Sequence, residues 1–291
     1  TVTSRIKLGT SIAVAFPRSP MILAHICWDL AKASGGRFIL GLGSQVKGHN
    51  ERRFSVKWEQ PVKKLREVVL SLRAIWDAWQ NGTKLDFRGE FYQFTLMTPF
   101  FSPGPLDHPK IPIYVAGVNP LITRLAGEVA DGFYVHPLHS RKFIRDTIIP
   151  DLEAGAQRVN RDRREVKITT QCFAAIGESA SEIAEQRERI REQLSFYAST
   201  RTYKPALDAH GWGDVCFRLS EMAAKGEWKK MMGEITDEMI DAYSVSGSPA
   251  EIPDLVRARY DGLLDRVSLY FPFVPGKHDA RWRAIVEGMK S

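Results

Sequence analysis

The sequence predicts an α/β fold built on a parallel sheet, and three observations carry that expectation. Short apolar runs alternate with helical patterns along most of the chain. The first run, IKLGTSIAVAF at residues 6–16, stops at Pro17 before a helical stretch, and the second, RFILGLGS at residues 37–44, ends in glycine and serine. Regular alternation of strand and helix means that the strands run side by side in one direction.

The elements follow in order. Residues 6–16 read as a strand buried on both faces, and residues 21–33 as the helix after it. The glycines of the second run let main-chain N–H groups approach a ligand closely. Residues 62–80 place Leu65, Val68, Val69, Leu72, Ile75, Trp76 and Trp79 at helical spacing, so both tryptophans read as core, and Asn81-Gly82 is a helix stop. Residues 84–95, with Arg88-Gly89-Glu90 between aromatic runs, read as a β-hairpin, and residues 99–109 as a proline-rich loop.

A buried strand is expected at 111–117, then a helix at 121–130 with Pro120 tolerated in its first turn. A strand at 132–135 ends on His136-Pro137 and leads to a helix at 142–160, where Pro150 marks a kink or break. Then come a long strand at 166–176, a charged helix at 181–200, and an irregular, helical insertion at 201–245 carrying Trp212 and Trp228. Ser248-Pro249-Ala250-Glu251 reads as a capped helix start, with a last strand at 265–273 and a terminal helix at 279–289. This gives six core strands, near residues 6, 38, 111, 132, 167 and 266. A closed (β/α)8 barrel needs eight, so the residues alone leave open a barrel lacking two units or an open, doubly wound sheet.

A length of 291 residues with 44% apolar content suits one large domain spanning 1–291, with the hairpin and the helical stretch as insertions. There is no long apolar run and no leader-like start, which predicts a soluble, cytoplasmic protein. Cys27, Cys172 and Cys216 are widely spaced and odd in number, which argues for plain buried thiols and against a disulfide framework or a metal site. The net charge of +7 is scattered among acids, without the aromatic-interleaved basic pattern of nucleic-acid binders. A polyanionic small molecule is the partner such a field favours.

The order of motifs resembles the luciferase-like monooxygenase superfamily, in particular its branch that uses the deazaflavin coenzyme F420. The residues that carry the resemblance are LGTSIAVAFPRSP (8–20), GGRFILGLGSQ (35–45), FRGEFYQF (87–94) and IPIYVAGVNPLITRLAGEVADGF (111–133), followed by SGSPAEIPDLV and DRVSLYFPF. The resemblance implies a TIM-type (β/α)8 barrel of the bacterial-luciferase kind, with an insertion before the last strand. It also implies one or two βα units ahead of Thr1, so that the chain reads as N-terminally truncated.

In similar proteins the strand ending near Ala15 and Phe16 carries a bulge, commonly with a non-prolyl cis peptide, that supports the central deazaflavin ring. Gly43, Ser44 and Gln45 offer donors to the cofactor's side chain or phosphate. Ala116, Gly117, Val118 and Asn119 sit before a helix whose dipole favours an anion, the best phosphate candidate. For proton handling during hydride transfer the candidates are His49, Glu51 and His136, whereas His139, His210 and His278 read as structural or solvent-exposed. Trp212, in Gly211-Trp212-Gly213, lies in a region that helps cover the substrate in relatives.

The implied activity is hydride transfer between F420 and a small organic substrate, in a protein that can be a homodimer. One rival keeps the fold with FMN as cofactor, giving a monooxygenase served by a separate flavin reductase. A second rival is a non-catalytic protein that binds a flavin-like ligand or another subunit.

Overall fold

The computed structural model describes residues 3–290, which form two compact units. The first comprises residues 3–117, Leu121–Tyr134 and Asp151–Val166; the second comprises Val118–Pro120, Val135–Pro150 and residues 167–290. Among the described residues no helix is long and apolar enough to cross a membrane.

In the first unit β1 (Leu8–Gly9) and β2 (Ala13–Val14) both run parallel to β3 (Phe38–Gly43), with Leu8 opposite Phe38 and Ala13 opposite Leu42. The segment from Gly9 to Ala13 is one residue longer than Ile39 to Leu42, the signature of a bulge. The expected single buried strand is therefore two short ones: β1 is exposed and β2 half-buried. The reason lies at Thr10. Its hydroxyl donates to the Gly41 carbonyl at 2.8 Å and accepts from the Gly41 N–H at 2.9 Å, taking the place of a ladder residue. The strand that ends near Ala15 and Phe16 thus carries a bulge and a non-prolyl cis peptide, Ser11–Ile12, as the family likeness suggested.

Gly41 in β3 is required by this segment, and Gly43 packs closely on it. A Cβ at Gly41 would lie 1.9 Å from the Thr10 carbonyl oxygen, and one at Gly43 would lie 2.8 Å from the Ile12 Cδ1. The glycines at the end of β3 thus also make room for residues 10–12 of the chain itself.

The hairpin β4 (Phe87–Arg88) and β5 (Gln93–Phe94) is antiparallel as expected. Next, β6 (Ile113–Gly117) lies parallel to β3, and β7 (Gly132–Val135) follows β6 in the sheet order. The helix Pro20–Ser34 starts at Ser19, whose side chain accepts the Met21 N–H, and ends at Gly35 in the left-handed conformation. It buries Leu23, Ala24, Cys27 and Trp28. Trp76 and Trp79, on the helix Pro61–Asn81, are core residues; the Trp76 indole donates to the Ala24 carbonyl at 3.2 Å and Trp79 meets Trp28 edge-on.

The helix Pro120–Val129 crosses Ile149–Gln157 at two glycines. A Cβ on Gly127 would stand 2.2 Å from the Leu152 carbonyl oxygen, and one on Gly155 would stand 1.9 Å from that of Arg124. Beside the crossing, the buried Glu128 carboxylate is shared by Arg66 and Arg158, and Arg124 pairs with Asp151 at 2.8 Å. Pro150 does not break the helix. The helix runs from Arg141 through a π segment, Ile144–Ile148, into Ile149–Gln157. The wider π turn takes up the missing proline N–H and the ring's clash with the preceding turn.

In the second unit β8 (Lys167–Ile176) pairs in parallel with two strands. Thr169 faces Arg266 of β10 (Arg266–Tyr270), and Phe173 faces Ser244 of β9 (Ser244–Gly247). β9 is a strand beyond the six expected: the insertion expected at 201–245 overlaps its first two residues, because SVSG offers a single large apolar residue. The helix Ala180–Ala198 is capped by Ser179, which accepts the Glu182 N–H. The insertion folds as the helices Lys204–Asp208, Gly213–Ala224 and Asp237–Tyr243 with short 3₁₀ turns. All three cysteines are buried free thiols, and burial pushes that of Cys27 up to about 12.

Candidate functional site

The candidate residues stand where parallel strands end, and each unit holds its own share. In the first unit β2 runs into Ala15 and Phe16. The Ala15 N–H donates to the Gly43 carbonyl at 3.0 Å, and both side chains are buried. The Phe16 ring lies under the Lys64 ammonium, 5.5 Å away, and meets Trp58 edge-on.

After β3, Ser44 donates to the Gln45 carbonyl at 3.1 Å, and Gln45 adopts a left-handed backbone with its side-chain oxygen on the Val46 N–H. A short helix that the sequence reading missed, Lys47–Arg52, follows. It turns His49 and Glu51 to solvent and Asn50 inward. Asn50 is fully buried; its amide nitrogen donates to the carbonyls of Ser44 at 2.9 Å and Val46 at 3.1 Å. Its Oδ1 is buried without a partner. Asn50, not its charged neighbours, shapes this loop, and a lone asparagine between charged residues leaves no periodic signal in the sequence.

After β6, Ala116, Gly117 and Val118 are half-buried and Asn119 is exposed, directly before the helix Pro120–Val129. A Cβ at Gly117 would lie 2.2 Å from the Ile122 Cγ2, so this glycine lets the helix fold back on its own turn.

In the second unit β7 delivers His136. Its ring stacks on Tyr203 with centroids 4.3 Å apart and meets Tyr197 edge-on at 4.8 Å. The Tyr197 hydroxyl in turn lies 3.1 Å from that of Tyr270 on β10. Burial, together with the nearby His139, lowers the pKa of His136 to about 4. The imidazole is therefore neutral at pH 7. Its Nδ1 accepts the Leu138 N–H at 3.1 Å, which leaves the ring proton on Nε2.

His139 is fully buried behind it and is structural. Its Nδ1 stands 2.8 Å from the His136 carbonyl oxygen, which can only accept, so Nδ1 carries the proton. The Tyr260 hydroxyl then donates to Nε2 at 2.8 Å. Thr170 donates to the Val135 carbonyl at 2.9 Å, so the main chain at β7's end is held from two sides. Neither Tyr197, Tyr203 nor this support was legible in the sequence; Tyr197 sits near the end of a helix that reads as a charged surface. In the insertion, Trp212 stacks on His210 at 4.5 Å and meets Tyr243 edge-on. Among the described residues no cluster of His, Cys, Asp or Glu could hold a metal ion.

The sequence profile described as luciferase-like monooxygenase matches residues 1–266 of the chain. The chain belongs to the luciferase-like monooxygenase family. Among its relatives is an uncharacterized protein of Mycobacterium tuberculosis, 44% identical over 265 residues, covering 91% of this chain and 78% of the relative. The 5,10-methylenetetrahydromethanopterin reductase of Archaeoglobus fulgidus is 26% identical over 283 residues, covering 94% of this chain and 80% of the relative. Of solved structures, the coenzyme F420 dependent tetrahydromethanopterin reductase of Methanopyrus kandleri has a TM-score of 0.75 at 23% identity, covering 99% of this chain and 82% of that one. The luciferase-like fold, an α/β fold of the TIM-barrel type, is thus the architecture in which β2, β3, β6 and β7 present their ends.

Proposed function

We propose that this luciferase-like protein is an F420-dependent oxidoreductase that transfers a hydride between the deazaflavin coenzyme and a small organic substrate. The observation that carries the reading is its likeness, over nearly the whole chain, to a methanopterin reductase in sequence and to an F420-dependent reductase in fold.

The residues present fit such a coenzyme at two places. The orphaned Asn50 Oδ1 is the kind of buried acceptor that a ligand N–H or a trapped water satisfies. The small residues Ala116–Gly117 stand ahead of a ten-residue helix, whose N-terminal dipole favours an anionic group. Ala15, Phe16 and residues 43–45 would support the ring system, and residues 116–119 its phosphate. The coenzyme supplies the hydride chemistry when bound. His136, neutral and held by Tyr203 and Tyr197, presents an Nε2–H donor that orients a carbonyl or imine oxygen or nitrogen of the substrate. It shuttles a proton at that atom only if the substrate raises its basicity. His49 and Glu51, both exposed, serve the surface rather than the reacting atoms.

Ile22, Ile26 and Leu30 form an exposed stripe at helical spacing on Pro20–Ser34, which supports a homodimer joined through this face. Light scattering of the purified protein tests it.

The family's description as monooxygenases favours a second reading, in which reduced FMN replaces F420 and a flavin reductase is the partner. The two are separated by turnover. Reduced F420 is incubated anaerobically with carbonyl and imine acceptors, and reduced FMN with dioxygen and the same compounds. Recovery of oxidised F420 in the first supports the proposal; oxygenated product in the second alone overturns it.

A further inference from the structure

The second unit contains a cleft of about 600 Å³ that includes none of the strand-end candidates. Arg141, Lys142, Arg145, Arg259, His210 and Asp241 are the ionisable side chains among those that line it. Their charges do not balance. Asp241 is already engaged by Arg187 at 2.6 Å. Lys142 and Arg145 share one carboxylate, Asp146, at 2.8 and 2.6 Å.

Arg141 and Arg259 have no carboxylate partner among the described residues; their hydrogen bonds go to main-chain carbonyls. One terminal nitrogen of Arg141 donates to the carbonyls of Ala258, at 3.0 Å, and Arg259. Arg259 donates to those of Ala242, Asp241 and Ser244. These carbonyls lie at the C-terminal ends of Ile252–Tyr260 and Asp237–Tyr243, whose dipoles steady the guanidiniums without neutralising them. The Nε–H and second terminal nitrogen of Arg141 remain uncommitted. At His210 burial and, after it, the Lys142 ammonium lower the pKa, with the Glu238 carboxylate acting in the opposite direction.

We propose that this cleft binds a small molecule bearing clustered oxyanions, a phosphate ester or a polycarboxylate. Guanidinium edges bind such groups through paired, charge-assisted hydrogen bonds, and a cleft with unbalanced cations concentrates anions. The volume is that of a metabolite site rather than of a single ion. The inference stands apart from the identity of the redox coenzyme, since it uses none of the same residues.

The test is isothermal titration of the full chain at low ionic strength with inorganic pyrophosphate and, separately, with tricarballylate. The expected result is a Kd of about 1 mM or tighter for at least one probe. Pyrophosphate alone identifies a phosphate-ester site, and tricarballylate alone a polycarboxylate site. The double variant Lys142→Gln, Arg145→Gln weakens binding about tenfold or more. Arg145→Glu alone serves as a second variant should the double one fold poorly, and the control pair Lys225→Gln, Lys229→Gln leaves binding unchanged. Absence of heat with both probes overturns the proposal, as does equal weakening in the control pair.

Discussion

Thr10 and Gly41 exchange two hydrogen bonds through one hydroxyl: Thr10 Oγ1 lies 2.8 Å from the Gly41 carbonyl oxygen and 2.9 Å from its nitrogen. The side chain completes the sheet where the backbone leaves it. Thr10→Val removes both bonds and keeps the shape, leaving a part-buried N–H and C=O unsatisfied. It is expected to cost roughly 2 kcal/mol in urea unfolding, whereas Thr10→Ser costs well under half of that. Equal losses in the two variants would show that the hydroxyl is not the cause.

The crossing of Gly127 and Gly155 leaves no room for a methyl group, since each Cβ would meet a main-chain carbonyl that cannot rotate away. Gly127→Ala and Gly155→Ala should each destabilise by about 3 kcal/mol or fail to fold. Gly48, in the helix Lys47–Arg52 with open space around it, is the control, and Gly48→Ala should be neutral or stabilise by about 0.5 kcal/mol. Thermal melts of the three variants check this.

His136 and His139 are buried and neutral, with pKa values lowered to about 4 in the folded chain from 6.5. The unfolded chain binds these protons first. Stability from keeping the rings neutral is therefore full above pH 6.5 and is lost as pH falls towards about 4, by up to about 1.4 kcal/mol per pH unit for each ring. Comparing urea midpoints at pH 7.5 and 5 in the parent and in His139→Gln should show a smaller acid loss in the variant. An identical loss would contradict the assignment.

The proton-handling candidates separate in the same way. His136→Phe keeps the stack on Tyr203 but removes the Nε2–H donor, and should lower kcat about tenfold to hundredfold with coenzyme affinity little changed. His49→Gln and Glu51→Gln should leave both constants within about twofold, whereas Asn50→Ala should weaken coenzyme binding by releasing residues 44–46. Steady-state kinetics beside a binding titration distinguishes these outcomes.

What the sequence disclosed follows from the length of each signal. Long periodic stretches such as Pro61–Asn81 and Lys167–Ile176 were legible almost to the residue. Where a few residues settle the structure, the reading failed. β9 has four residues, and the helix Lys47–Arg52 has six, too few for a period to register. The glycines Gly41 and Gly43 were visible, but the room they make for Thr10 and Ile12 was not, because that contact has no trace in one dimension. His136 stands after a strand as read, while of the two tyrosines that frame it Tyr197 belongs to the charged helix Ala180–Ala198 and Tyr203 to an insertion with no motif of its own.

Which coenzyme the protein holds decides its chemistry most directly. Fluorescence titration of the purified protein with F420 and, in parallel, with FMN should give a Kd of about 10 µM or tighter for F420 and no saturable binding of FMN. Tighter binding of FMN, or binding of neither, would contradict the F420 assignment.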